Sequence, residues 1–406
     1  MDYETHTLSN GIRIIHLKTS NVVAHLGLMV STGSRDESDQ EHGMAHLIEH
    51  LVFKGTEKRK AFHIISRMED VGGEINAYTT KEETCIYTSF MKSDYPRAFE
   101  LLQDVVFHSI YPQKELTREK NVIIDEINSY QDNPGELIFD DFEEFVFLDH
   151  PIGRNILGSP NTLKTFSRKD ILYFISNNYA TDEMVICSVG NITSSRLFKM
   201  AVKYVNDIPA KSRKKERSPI KPYNHSRLIK NLNTFQSHTI VGNRAYAVQD
   251  KRRVGLHLLI NLLGGPGLNT RLNMTLREKN GYSYHTESHY TPYSDTGIVN
   301  VYFSSDKEKI DKSKKVVMRE FGKLRKQKLG SLQLSKAKKQ LMGQIAIGSE
   351  NHENLMLNMA KSFLIFNEVD GLEEIQRKID AVSAEELMDI ANEILDENNL
   401  SILTYK

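Results

Sequence analysis

The sequence predicts an α+β protein built from two homologous α/β domains, each a mostly antiparallel sheet packed with helices, and three observations lead there. Apolar residues alternate in some segments and recur at helical spacing in others, so both periods occur in one chain. At 406 residues, and about 150 per domain, the length suits two or three domains or one duplicated unit. A basic, proline-containing stretch without apolar period, PAKSRKKERSPIKPYN at 209–224, divides two parts of the chain that resemble one another.

From the N-terminus, GIRIIHL and VVAHLGLMV alternate around a polar break at Lys18 to Asn21 and read as a β-hairpin. Met44, Ala45, Leu47, Ile48, Leu51 and Val52 recur at helical spacing over 42–54, with Gly55 as the C-cap signal. An amphipathic helix at 60–71 stops at Gly72-Gly73, strands follow at EINAYTT and CIYTSFM, and a helix lies near 94–109. Leu116 to Tyr130 is helical, with Thr117 as N-cap and Val122, Ile123 and Ile127 as its apolar stripe. Beyond Pro134 comes a Phe-rich amphipathic helix, then the loop HPIGRNILGSP and the strand MVICSVGNI.

Composition narrows the function. The 53 Lys and Arg cancel the 53 Asp and Glu, leaving no global field to recruit nucleic acid or an anionic membrane, and the basic run at 209–224 reads as a solvated linker. With 39% hydrophobic residues and 10 Pro the chain has a globular composition, which excludes disordered and collagen-like classes. No basic start precedes an apolar run, and no stretch of about 18 apolar residues occurs. The expectation is a cytoplasmic protein without membrane insertion. Cys85 and Cys187 sit in apolar strand contexts, where a free thiol packs as a small hydrophobe.

The duplication is read residue by residue. AHLIEHLVFKG at 45–55 parallels LHLLINLLGG at 256–265, and LTREKNVIIDEI at 116–127 parallels LSKAKKQLMGQI at 334–345. His46, Glu49 and His50 face His257, Ile260 and Asn261, while Glu119 and Glu126 face Ala337 and Gln344. Only the first half keeps the polar set, which predicts a domain over 1–208 that carries the chemistry argued next, zinc binding and catalysis by His46, Glu49 and His50, a linker at 209–224 and a homologous domain over 225–406 that lacks it.

His46, Glu49 and His50 form His-x-x-Glu-His, the inverted zinc-protease motif. Positions i, i+3 and i+4 share one helical face, so two imidazoles converge on a metal while the carboxylate addresses water. Three polar residues on an otherwise apolar helix would be costly to bury unpaired. A catalytic zinc takes three protein ligands and an open position, so a third ligand is required. Glu126, on the 116–130 helix, is the candidate, and Glu119 lies on the same face two turns earlier, placed to orient a ligand histidine. Glu49 is then the general base, and the cofactor is one Zn2+ per chain.

Over nearly its whole length the chain resembles the pitrilysin-type metallopeptidases, which include the mitochondrial processing peptidase. The resemblance rests on HGMAHLIEHLVFKGT, GGEINAYTTKEET, LTREKNVIIDEI followed by QDNP, HPIGRNILG, LLGGPGLNTRL and LREKNGYSY. It implies the same roles for His46, His50, Glu126, Glu49 and Glu119. It further implies that Arg277 and Tyr284 grip substrate and stabilise an oxyanion, and that Asn76 and Ala77 lie on an edge strand that pairs with extended peptide. Apart from the resemblance, Arg277 reads as a surface charge and Tyr284 as a half-buried strand residue. The family builds a closed chamber from four homologous domains, of which this length holds two, so the resemblance implies a homodimer. The implied function is a zinc endopeptidase cutting extended peptides or unfolded segments inside that chamber. The alternatives are a non-catalytic assembly subunit of the same family, or the catalytic half of a heterodimer. His150, in DHPIGR, is expected to fix a loop by hydrogen bonding.

Overall fold

The protein is described by a computed structural model over residues 2–214 and 216–406; Lys215, within the expected linker, lies outside the described residues. In chain order the first half supplies β1 (Tyr3–Thr7), β2 (Arg13–Lys18), β3 (Val23–Val30), α1 (Met44–Leu51), α2 (Ala61–Glu69), β4 (Glu74–Thr79), β5 (Thr84–Met91), α3 (Tyr95–Phe107), α4 (Gln113–Gln131), α5 (Pro134–Val146), α6 (Pro160–Thr165), α7 (Arg168–Asn178), β6 (Met184–Gly190) and α8 (Ser194–Val205). The second half supplies β7 (Arg227–Lys230), β8 (Ser237–Ala245), α9 (Arg253–Gly264), a π-helical stretch Asn273–Lys279, β9 (Thr286–Pro292), β10 (Gly297–Ser305), α10 (Ile310–Lys326), α11 (Ser331–Ser349), α12 (His352–Phe366), α13 (Leu372–Ala381), α14 (Ala384–Ile394) and β11 (Ser401–Tyr405). The fold is α+β as expected, with two mostly antiparallel sheets. No helix among the described residues is long and apolar enough to cross a membrane.

Contacts divide the chain into two compact units. Unit 1 holds Met1–Ile127, Arg154–Arg217 and Ile347–Gly371; unit 2 holds Asn128–Gly153, Ser218–Ala346 and Leu372–Lys406. The chain passes between them five times, so no single cut separates them.

The sheet of unit 1 has the order β1-β2-β6-β3-β5-β4, and that of unit 2 the order β7-β11-β8-β10-β9. Without β1, each is the same five-strand pattern with one parallel pair, β2 with β6 and β7 with β11. The duplication read from the sequence is therefore a duplication of topology. Strand alternation does the packing in unit 2: Ile240, Ile298 and Leu403 face one core, while Val241, Val299 and Val301 face another.

What covers those faces is exchanged. α5, coded in the first half, lays Ile138, Phe142 and Val146 onto the unit 2 sheet. α12, coded in the second half, lays Met356, Met359 and Phe363 onto the unit 1 sheet beside Ile15, Met29, Cys85 and Cys187. Each fully buried apolar side chain of this kind stabilises by about 1.5–3 kcal/mol. In both sheets a glycine on a central strand makes room. A Cβ on Gly27 would stand 3.0 Å from Met356 Sδ, and one on Gly242 would stand 2.8 Å from Phe142 Cε1. α12 starts sharply because the Asn351 side chain accepts the N–H groups of Glu353 and Asn354, at 3.0 and 3.1 Å.

Several local expectations are corrected. β2 and β3 are not a hairpin: β6, buried along all seven residues, lies between them, and the N-terminal hairpin is β1–β2. The helix carrying the motif ends at Leu51 rather than at Gly55, which instead bridges to Lys60. Thr117 lies inside α4, its hydroxyl donating to the Gln113 carbonyl at 3.1 Å, so it is not the cap. Val122 is exposed, and the buried stripe of α4 is Leu116, Glu119, Ile123 and Ile127. The basic run after residue 209 is strapped to unit 1 rather than solvated: Arg213 pairs with Asp36 and Glu183, both at 2.6 Å, and Arg217 with Asp36 at 2.9 Å and Glu82 at 3.3 Å. Cys85 and Cys187 are free and buried, as expected.

Candidate active site

The motif occupies the short helix α1, whose apolar face (Met44, Ala45, Leu47, Ile48, Leu51) is buried in unit 1. Helical spacing sets the two imidazoles side by side, ring centroids 4.6 Å apart and planes 63° apart. Glu126, from α4, meets them: its Oε2 lies 4.0 Å from His46 Nε2 and 3.6 Å from His50 Nε2. The three ligand atoms fall within 4.8 Å of one another, and this is the one such histidine and carboxylate group among the described residues. Ligands bonded at about 2.1 Å in a tetrahedral site stand about 3.4 Å apart, so small side-chain shifts would close the trio on a zinc-sized ion.

The groups around the trio fit that occupant. Glu119, one helical face with Glu126 and 4% exposed, takes His50 Nδ1 on Oε2 at 3.2 Å and Lys54 Nζ on Oε1 at 2.9 Å. This fixes the tautomer and aims Nε2 of His50 at Glu126. His46 is buried, and its Nδ1 has no hydrogen-bond partner among the described residues. Burial, with His50 adding to it, pushes the His46 imidazole down to about 3. It is neutral at physiological pH, the form that ligates a metal. Glu49 stands half-buried on the same helix; burial raises its carboxyl above the ordinary range, Thr79 and His50 pull it back, and Glu126 pushes it up. Thr79 ends β4, so the last residue of an edge strand lies against the carboxylate of the motif.

Asn76 and Ala77 lie in the middle of β4, which among the described residues pairs only with β5 and forms the edge of the unit 1 sheet, Asn76 opposite Tyr87 and Ala77 opposite Ile86. Arg277 and Tyr284 belong to unit 2 and are brought together there, the guanidinium 5.0 Å over the Tyr284 ring. Arg277 comes from the π-helical stretch, and Tyr284 is 78% exposed rather than half-buried. Both line a cleft of about 560 Å³ with Asn261, Gly265, Glu287 and His289. The expected counterparts of the motif, His257, Ile260 and Asn261, occupy α9, and no carboxylate among the described residues completes a ligand trio with them. His150 fixes its loop: Nε2 lies 3.1 Å from the Ser218 carbonyl, and Nδ1 accepts the Ile152 N–H at 3.2 Å.

Sequence reasoning missed Lys54, Thr79 and Glu37. Lys54 was legible as the residue one turn past His50; Thr79 and Glu37 were not, because their approach to α1 is made by the fold.

Comparisons with known proteins identify the family. Residues 13–160 match the family described as insulinase (peptidase family M16), and residues 165–341 match the M16 inactive domain. A Bacillus subtilis protein named as an uncharacterized zinc protease is 30% identical over 396 residues, covering 97% of this chain and 96% of its own. A Rickettsia felis protein of the same description is 28% identical, covering 99% and 97%. Among solved structures, a protease from Helicobacter pylori superposes with TM-score 0.91 at 21% identity, covering 100% of this chain and 99% of its own. An M16 inactive-domain protein from Pseudomonas fluorescens superposes with TM-score 0.93 at 19% identity, covering 100% and 98%. At those identities the two structures speak for the fold alone.

Proposed function

The chain belongs to peptidase family M16, and from that premise we propose that it is a zinc-dependent endopeptidase that cuts extended peptides or unfolded segments. The observation that carries the reading is the convergence of His46, His50 and Glu126 within 4.8 Å, with Glu49 one turn along the same helix. His46, His50 and Glu126 would hold the metal, one per chain, since Asn261 and Gln344 replace its ligands in the second half. When bound, zinc supplies Lewis acidity that brings water towards neutral pKa and polarises a peptide carbonyl.

The protein's own groups do the rest. Glu49 takes the proton of the attacking water and passes it to the leaving amine, and its raised pKa suits a base working near neutral pH. Glu119 orients His50. Asn76 and Ala77, on the free edge of β4, offer backbone groups to an extended peptide, a mode that reads main chain before side chains. Arg277 and Tyr284 offer a guanidinium and a hydroxyl to the oxyanion. In this reading two copies of the chain form the chamber, and the pair serves the metal site of the partner copy. A non-catalytic assembly subunit could lose these groups without cost, yet all five of His46, Glu49, His50, Glu119 and Glu126 stand in place.

Metal analysis of the purified chain together with digestion of a mixed peptide library tests the reading. Zinc near one equivalent and cleavage that Glu49→Gln abolishes support it; a zinc-loaded chain that cuts nothing in the library refutes it.

A further inference from the structure

α1 spans eight residues, about two turns, yet carries both imidazoles and Glu49. So short a helix is not stable by itself, and its direction is set by what holds its ends. The residue before its first turn, Gly43, has no side chain to cap the exposed N–H groups, and none can be added. Its φ is +96°, and a Cβ there would stand 2.8 Å from Gly158 Cα and 2.9 Å from the Leu157 carbonyl oxygen.

Glu37 supplies the cap from six residues upstream. Its Oε2 accepts the Gly43 N–H and its Oε1 the Ala45 N–H, both at 2.9 Å. The side chain is 1% exposed, and Arg154 Nη2 anchors the same residue by donating to its carbonyl oxygen at 2.7 Å. Burial pushes the carboxyl up to about 8 against the two N–H donors, so keeping it there is costly. Nine positions before His257, in the half without the ligand trio, the sequence has Val248 instead.

We propose that Glu37 is a positioning residue of the metal centre: by gathering the N–H groups of Gly43 and Ala45 on the two oxygens of one carboxyl group, it fixes the first turn of α1 and so aims His46 and His50 at Glu126. His46 follows Ala45 directly, so movement of that turn reaches the imidazole undamped. An imidazole nitrogen stands roughly 6 Å from the helix axis, and a rotation of about 10° moves it by about 1 Å, several times the roughly 0.2 Å that metal–ligand distances tolerate. The proposal rests on reading His46, His50 and Glu126 as metal ligands.

The test compares the full-length parent with Glu37→Gln, Glu37→Asp and His50→Ala. Zn2+ affinity is read by competition with a chromophoric chelator, ligand geometry by the visible d–d spectrum of the Co2+ forms, and folding by metal-free thermal unfolding. Gln sets an amide nitrogen, which cannot accept, against one N–H, and Asp is one methylene too short to reach both. A folded Glu37 variant is expected to bind Zn2+ at least tenfold more weakly and to shift the Co2+ bands, which a purely structural role would leave unchanged in folded protein. Affinity within threefold of the parent with unchanged bands overturns the proposal, as does failure of both Glu37 variants to fold. If the parent binds Zn2+ no better than His50→Ala, the metal reading itself fails and this proposal falls with it; a parent that binds and a Glu37 variant that matches it indict Glu37 alone.

Discussion

Replacing Phe142 by alanine should destabilise the sheet of unit 2, although residue 142 lies in the first half of the chain. The ring is fully buried among Ile138, Ile240, Leu403 and Tyr405, and Gly242 opposite it has no side chain to move into the vacated space. The cavity stays open, so the cost falls in the upper part of the range of about 3–5 kcal/mol for such truncations. Four kcal/mol is about a thousandfold in an opening equilibrium, which hydrogen exchange followed by mass spectrometry resolves segment by segment. Amides of β8, β10 and β11 should lose protection most. The reciprocal variant Met356→Ala, also fully buried and seated against Gly27, costs about 2–5 kcal/mol and should move the loss to β3 and β6. If Phe142→Ala leaves β8, β10 and β11 protected while β2, β3 and β6 open, the account of the exchanged helices is wrong.

Glu49→Gln should retain zinc and lose about 10²–10⁴-fold in kcat, because the amide keeps the shape but accepts no proton; activity within tenfold of the parent would assign the base elsewhere, with Glu119 first to test. His50→Ala and Glu126→Ala should each abolish zinc retention on dialysis, since each removes one of three protein ligands. Glu49→Gln and Tyr284→Phe proteins, each nearly inactive alone, should recover towards half the parental activity per mixed dimer after subunit exchange; exchange without recovery rules out a composite site. Metal-free stability, measured as urea midpoints in chelator, should peak near pH 6.5. Burial lowers the pKa of His16, His25 and His42, so the unfolded chain gains protons below about 6.5 and stability falls as the medium acidifies. Glu37, raised to about 8, holds a proton that the unfolded chain releases above about 4.5, so its contribution is lost as pH rises to 8. Glu37→Gln should therefore flatten the curve between pH 6.5 and 8; an equal fall in the variant refutes the assignment.

The readings that depended on one short segment were legible in the sequence. His46, Glu49 and His50 share a face because of the helical period alone, and the seven-residue spacing of Glu119 and Glu126 puts both on the inner side of α4 by the same arithmetic. The readings that failed depended on partners distant in sequence. β2 and β3 look like a hairpin because nothing local announces that β6, more than 150 residues downstream, will insert between them. Val122 looked buried because it is apolar, yet it is exposed, while the charged Glu119 takes the buried place beside His50 and Lys54 that its spacing from Glu126 had indicated. Arg213 and Arg217 read as solvated charges because Asp36, Glu82 and Glu183, their partners, lie far away in sequence.

The exchange of α5 and α12 also sets a clock on synthesis. The strands that carry the ligand helix are complete once residue 190 has emerged, but α12, which covers one face of β3 and β6, is not finished until residue 366. At about 5–20 residues per second the interval is roughly 10–35 s. During it, Ile15, Met29, Cys85 and Val189 lack their cover, which makes the nascent chain a client for chaperones that hold apolar surface. On the proposed function, a catalytic half that cannot close until most of the second half has been translated would be inert at the ribosome, and activity would begin only after the chain that carries it is nearly whole.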